Sequence, residues 1–234
     1  MLVVLSDLHF QDTSDIKESD KLNITHEDLL CFCRAVNGLA CAANAKELTF
    51  VLAGDIFDFL HTLRWFELYG DPSPYLSAPD SKLETKLHEI FDAIENSAMP
   101  ALNFLRDIAH FKTSDIKFEV QPNFVYIPGN HDRYARICPS LAARIRKLLN
   151  IEGNGDFPTD ISFPEYKVFI RHGHEYDWTN CEFQVNQQSS GDVSPLYGEA
   201  VLGDWFTVDI VNRLLFTFRK MYADTELGDK VYSK

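Results

Sequence analysis

The segment Leu48-Thr49-Phe50-Val51-Leu52-Ala53-Gly54-Asp55-Ile56-Phe57-Asp58 runs from an apolar, β-branched stretch straight into a glycine and two carboxylates. A short run of that composition closed by Gly reads as a buried strand that delivers its acids to a loop. The same grammar recurs elsewhere in the chain. Leu2-Val3-Val4-Leu5 opens onto Ser6-Asp7-Leu8-His9, and Phe124-Val125-Tyr126-Ile127 onto Pro128-Gly129-Asn130-His131-Asp132. Val168-Phe169-Ile170 opens onto Arg171-His172-Gly173-His174. In a layered α/β fold, the loops leaving the carboxyl ends of strands gather at one edge of the sheet, where sites form. Asp7, His9, Asp55, Asn130, His131 and His172 are therefore expected to converge, although they span most of the chain.

Carboxylates mixed with imidazoles and an amide oxygen suit Mn, Fe or Zn better than an all-oxygen cage would. Two cations held close together need a shared ligand. Asp55 is the natural one, because Gly54 before it lets the backbone turn tightly. Asp7 and His9 lie two apart, so in an extended segment they point the same way and chelate one ion. Asn130, through its side-chain oxygen, and His172 fall to the second. Metals about 3.5–4 Å apart can activate a water and clamp attacking and leaving oxygens.

Taken in order, Asp7-Leu8-His9, Gly54 to Asp58, Gly129 to Asp132 and His172 resemble the D-x-H, G-D-x-x-D, G-N-H-D/E and lone-His blocks of the calcineurin-like metallophosphoesterases. The resemblance covers residues 1–180. It implies a four-layer αββα sandwich holding two divalent metal ions, Mn first and Fe or Zn as alternatives. It also implies hydrolysis of a phosphomonoester or phosphodiester by a hydroxide activated between the metals. His131 would serve the leaving oxygen, with Asp132 or Asp58 orienting its ring as a carboxylate does for a working imidazole. For Asp58 and Asp132 the competing reading is a turn or N-cap carboxylate. For Arg133 a phosphate contact competes with an ordinary salt bridge, and His61 stands close enough to the Gly54–Asp58 block to reach a substrate. The Ser/Thr protein phosphatase branch is disfavoured, because Phe59 and Leu60 follow Asp58 where that branch continues Arg-Gly.

The family's last block, G-H-x-H, has no counterpart, since no histidine follows His174. One expectation is a single domain over 1–234 that lacks its C-terminal strands and binds metal weakly. The other is that His174, with Glu175 or Asp177, acts as a substitute metal ligand. A metal-poor relative serving as a binding scaffold is the competing class of function.

The net charge is 22 minus 35, or −13. This argues against a broad nucleic-acid surface, which needs clustered Lys and Arg. A small phosphorylated substrate is the expected partner, and duplex nucleic acid is disfavoured. There is no apolar run of about eighteen residues, hence no expected membrane span. The start Met1-Leu2-Val3-Val4-Leu5 lacks a basic leader, so a cytoplasmic location is expected. Cys31, Cys33 and Cys41 share one helical stretch and read as buried, reduced thiols. Further expectations are a helix over 26–45 capped by Thr25, an aromatic loop over 65–75, and a long helix over 81–111. His26, His88 and His110 are expected to face solvent, as is a basic face between Arg133 and Lys147. Residues 195–224 read as a helical segment, either a core helix or a lid.

Overall fold

The computed structural model describes residues 1–13, 24–66, 80–180 and 200–222. In chain order its strands are β1 (Leu2–Leu5), β2 (Phe10–Gln11), β3 (Leu48–Ala53), β4 (Phe57–Asp58), β5 (Pro122–Ile127), β6 (Asp160–Phe163) and β7 (Val168–Arg171). Every one of the apolar runs therefore forms a strand. β1, β3 and β5 lie side by side in that order as a parallel sheet, with Val3 opposite Phe50 and Phe50 opposite Phe124. Parallel neighbours need crossovers, and helices supply them. Helix α1 (His26–Ala42) connects toward β3, and α2 (Ser81–Ser97) with α3 (Met99–Ala109) connects toward β5. Short α4 (Tyr134–Ile137) and α5 (Pro139–Leu149) then lead to the antiparallel hairpin β6–β7.

Side chains alternate across the sheet. Phe50, Leu52, Phe124 and Tyr126 join the main core with Leu87, Ile90, Leu105 and Leu141 of the helices. Val51, Ala53 and Ile127 turn the opposite way and meet Ile170 of the hairpin. A parallel sheet covered on both faces needs strands apolar throughout, which is why β3 reads as one continuous run. The result is an α/β architecture of helices, parallel sheet and hairpin. Among the described residues the second β-layer is the two-stranded hairpin, and Phe169 on its outer face stays 57% exposed. The described residues do not build the fourth layer of the expected sandwich.

Several helical expectations change. The stretch 81–111 divides at Ala98, because Pro100 opens a new helix and offers no N–H to continue the old one. Helix α1 ends at Ala42, while its start is as expected, with Thr25 and Asp28 exchanging hydrogen bonds in a capping box. The three outlying histidines are half-buried rather than solvent-facing. His88 Nε2 meets Ser140 Oγ at 2.8 Å, His110 Nε2 the Lys147 carbonyl at 2.9 Å, and His26 stands edge-on to Phe104 at 5.0 Å. Of the cysteines in α1 only Cys33 is buried; Cys31 and Cys41 are exposed, and Cys181 lies outside the described residues. The basic stretch is not a solvated face either, since Arg144 binds Asp92 and Glu95 and Arg146 caps the Gly155 carbonyl.

The C-terminal segment comprises α6 (Leu202–Trp205), a π-helical stretch over Phe206–Asn212, and α7 (Arg213–Tyr222). Bonding from i to i+5 carries side chains out of the 3.6-residue phase. Of the apolar residues at helical spacing here (Val201, Trp205, Val208, Val211, Leu215 and Phe218), Val201 and Val208 are buried while Trp205 and Leu215 remain about half exposed. Buried Asn212 docks the segment on the loop after β4 by donating to the carbonyls of Leu60 (2.6 Å) and Thr62 (3.2 Å). Of the aromatic loop, Trp65 is buried and donates to the Phe59 carbonyl, and Phe66 packs on Phe216. Tyr69, Pro72, Pro74 and Tyr75 lie outside the described residues.

Candidate metal centre

The backbone around the site is unusual before any side chain is considered. Asp7, His9 and Asp55 all adopt left-handed conformations, with φ of 55°, 46° and 53°, and Gly54 sits at 88°. Such conformations cost about 1–3 kcal/mol each for non-glycine residues and persist only where the surroundings fix them. Here the exit loops of β1 and β3 fix each other. The N–H groups of Asp7, His9 and Phe10 donate to the carbonyls of Gly54 (3.1 Å), Asp55 (2.9 Å) and Ile56 (2.9 Å). The ladder continues as the parallel pair β2–β4, in which Gln11 stands opposite Asp58. Asp7 and His9 are thus not in the extended segment expected of them. They converge nonetheless, with His9 Nε2 3.9 Å from Asp7 Oδ1.

Asp132 ties the β5 exit loop to the β3 exit loop. Its fully buried carboxylate accepts from the backbone N–H groups of Asp55 (3.3 Å), Ile56 (2.9 Å), Phe57 (3.3 Å) and Gly129. Burial and the neighbouring Asp55 charge push its pKa up to about 6. The expected place beside His131 is therefore corrected: all those donors hold Asp132 underneath the loops, and it is a clamp. Two glycines permit the closeness. A Cβ on Gly54 would lie 2.2 Å from the His172 ring, and one on Gly129 would lie 2.2 Å from Asp55 Oδ1. Gly54 thus serves close approach as well as the turn.

Within this frame Asp55 occupies the centre. The His131 backbone N–H donates to its Oδ1 at 2.9 Å. Its Oδ2 is left facing His172 Nε2 at 3.3 Å and His9 Nε2 at 3.8 Å. Each imidazole has its other nitrogen committed, His172 Nδ1 to the Ala53 carbonyl at 2.9 Å and His9 Nδ1 to Asp58 Oδ2 at 3.1 Å. A carbonyl accepts only, so His172 Nδ1 carries its proton, and Nε2 is the ligating atom of the neutral ring. Asn130 Oδ1 lies 3.3 Å from the same Nε2. Ligand atoms of Asp7, Asp55 and His172 all come within 4.8 Å of one another. Separations of this size suit donors placed about 2.0–2.2 Å from a shared cation. The residues present could therefore hold a divalent cation beside Asp55.

The charges agree. Burial would raise the Asp55 pKa, but the hydrogen bond from His172 and the nearby His131 charge hold it lowered. For His172, burial alone would lower the pKa, and the Asp55 carboxylate outweighs it, raising the ring to about 9.

Asp58 is the second hub. It lies wholly buried and serves three imidazoles: His61 Nδ1 at 2.7 Å, His131 Nδ1 at 3.0 Å and His9 Nδ1 at 3.1 Å. Burial would raise its pKa, yet hydrogen bonds from His131, His61 and His9 hold it well below the usual carboxylate range. For His131, burial would lower the pKa, but the bond and charge of Asp58 raise it to about 9. Its ring stands edge-on to His9 at 4.7 Å and lies parallel to His61 at 5.4 Å. Of the two acids expected to orient His131, Asp58 is the one in place. His61 belongs to the same cluster, and its spacing of three residues from Asp58 was the available signal.

The remaining candidates fall outside the cluster. His174 packs beside His172, rings 5.3 Å apart, with Nδ1 3.5 Å from Glu175. Burial and the His172 charge press its pKa down to about 3. It joins none of the groups whose ligand atoms lie within 4.8 Å of one another. The intervening Gly173, at φ 99°, turns the chain away from β7. Neither proposed substitute stands in: Glu175 is buried on Arg171 and the Gly173 N–H, and Asp177 accepts from Thr179 and Asn180. Arg133 is a salt-bridge residue, its Nη2 3.0 Å from buried Asp204. A separate trio, Glu84, His88 and Cys138, also brings ligand atoms together. Arg144 Nη1 faces His88 Nδ1 at 3.2 Å there, so Nδ1 is an acceptor and Nε2–H donates to Ser140. That imidazole offers no lone pair to a cation. Set against family models, curated proteins and solved structures, the chain matches none of them.

Proposed function

We propose that this protein is a metal-dependent hydrolase of a phosphomonoester or phosphodiester, as the ordered motif resemblance implies. The observation that carries the reading is Asp55 Oδ2, which faces both His9 Nε2 (3.8 Å) and His172 Nε2 (3.3 Å) while the opposite nitrogen of each ring is committed elsewhere. Asp7, His9 and Asp55 would hold one divalent cation, and Asp55, Asn130 and His172 the other. When bound, such a pair supplies a water of lowered pKa and positive charge against the phosphoryl oxygens. The mixed donor set favours Mn, with Fe or Zn as alternatives.

The chain's own groups account for the rest of the reaction. His131 turns Nδ1 to Asp58, which leaves Nε2 for the leaving oxygen. As the bond from phosphorus to that oxygen breaks, Nε2 delivers a proton to it, and water supplies the hydroxyl that phosphorus gains. Asp58 is a positioning residue: it keeps the ring charged and correctly turned. The acidic surface, with its net charge of −13, favours a small substrate over a polyanion. Turnover of simple phosphomonoesters and diesters by the Mn-loaded protein, lost on chelation and restored by Mn, is the expected result. A protein that takes up no divalent metal and turns over neither ester would instead be a metal-poor scaffold.

A further inference from the structure

A cavity of about 140 Å³ separates the cluster from the C-terminal segment. Gln11 and His61 line it on one side, and Val211, Leu215 and Arg219 on the other. It adjoins the proposed site directly. Gln11 stands opposite Asp58 in the β2–β4 register, and His61 touches Asp58 Oδ2 at 2.7 Å while lying parallel to His131. The turn that carries Val211 is π-helical, a distortion that concentrates at functional sites. Asp12, also on the wall, already accepts from Thr62 Oγ1 and Arg64 Nε at 2.9 Å each, so its charge is spent within the protein.

The geometry points to this cavity as the subsite for the leaving alcohol, which would carry one ring-sized, weakly polar group. The inference rests on the hydrolase reading and narrows its substrate class. Size supports it, because an apolar cavity of about 150 Å³ accommodates a benzene-sized ring. Composition supports it too: Val211 and Leu215 supply an aliphatic wall and His61 a flat face. Position completes the case. The group attached to the oxygen that His131 protonates must lie on the side where His131 and His61 stack.

The test compares benzyl phosphate with ethyl phosphate, both monoesters of primary alcohols, using the full chain in saturating Mn²⁺. The expected kcat/KM ratio favours the benzyl ester by roughly 10–10²-fold, the range apolar pockets provide. Leu215→Trp, which fills the cavity, and Leu215→Ala, which removes its wall, should each lower that ratio about tenfold, with folding verified by circular dichroism. A wild-type ratio near one, or a ratio moved by neither variant, would overturn the inference. If neither ester turns over, the hydrolase reading fails, and binding of benzylphosphonate against ethylphosphonate decides the cavity alone. A benzyl preference lost in Leu215→Trp then supports the subsite, and equal affinities refute it.

Discussion

At the residue scale, the separation of roles between Asp55 and His131 has a direct consequence. His131 faces Asp58 and sits beside the ligand set, so His131→Ala should lower turnover by about 10²–10⁴-fold. Metal content, read by elemental analysis of the same preparation, should stay near that of the wild type. Loss of metal in that variant would move His131 into the ligand set. A second consequence concerns pH. The His172 pKa rises from 6.5 to about 9 in the metal-free fold. Because the folded value lies above the unfolded one, its contribution to stability is full below pH 6.5 and is lost as pH rises through 9. A cation must displace the Nε2 proton, so Mn²⁺ affinity should climb across that same window and flatten above it. Calorimetric titration at stepped pH checks this, and a flat profile would show that His172 is not a ligand. Much of this scale was legible in the sequence: Asp7, His9, Asp55, Asn130 and His172 could be named from their places after strand-like runs. The left-handed backbone of Asp7, His9 and Asp55 could not. It arises from hydrogen bonds between two loops more than forty residues apart, which no local pattern encodes.

At the scale of elements, the exit loops of β1, β3 and β5 behave as one unit because Asp132 holds the latter two together. Asp132→Ala would leave the buried N–H groups of Asp55, Ile56, Phe57 and Gly129 without their acceptor. Each such group costs about 1–3 kcal/mol, so urea denaturation should register a loss of roughly 3 kcal/mol or more. A stability change below about 1 kcal/mol with turnover abolished would restore Asp132 to a role at His131. The sequence placed the carboxylate but not its direction, since a side chain following Gly-Asn-His can turn toward substrate or toward backbone. A helix start was readable at the Thr25–Asp28 cap, whereas the break at Pro100 was missed because helical spacing continues on both sides of it. The π-helical stretch was not readable, because the apolar spacing after Val201 also satisfies an ordinary helix.

At the scale of the molecule, α6, the π-helical stretch and α7 dock at the edge of the sheet where the candidate site lies. Two buried polar anchors secure them: Asp204 with Arg133, and Asn212 with the Leu60 and Thr62 carbonyls. Removing one partner of a buried ion pair costs about 3–5 kcal/mol, because the other charge is stranded. Asp204→Ala should therefore lower the denaturation midpoint by a corresponding amount, and an unchanged midpoint would mean the segment contributes little to the fold. The α/β layering was legible from the repeated strand-then-ligand grammar. The extent of the second β-layer was not, because Val168-Phe169-Ile170 announces β7 while β6 (Asp160–Phe163) has no apolar run of its own. The proposed hydrolase requires two cations sharing one carboxylate oxygen. Anomalous diffraction from crystals equilibrated with Mn²⁺ tests that most directly. Two peaks should flank Asp55 Oδ2, one against Asp7 and His9 and the other against Asn130 and His172, and both should vanish in Asp55→Asn. A single peak away from Asp55, or peaks that persist in the variant, would contradict it.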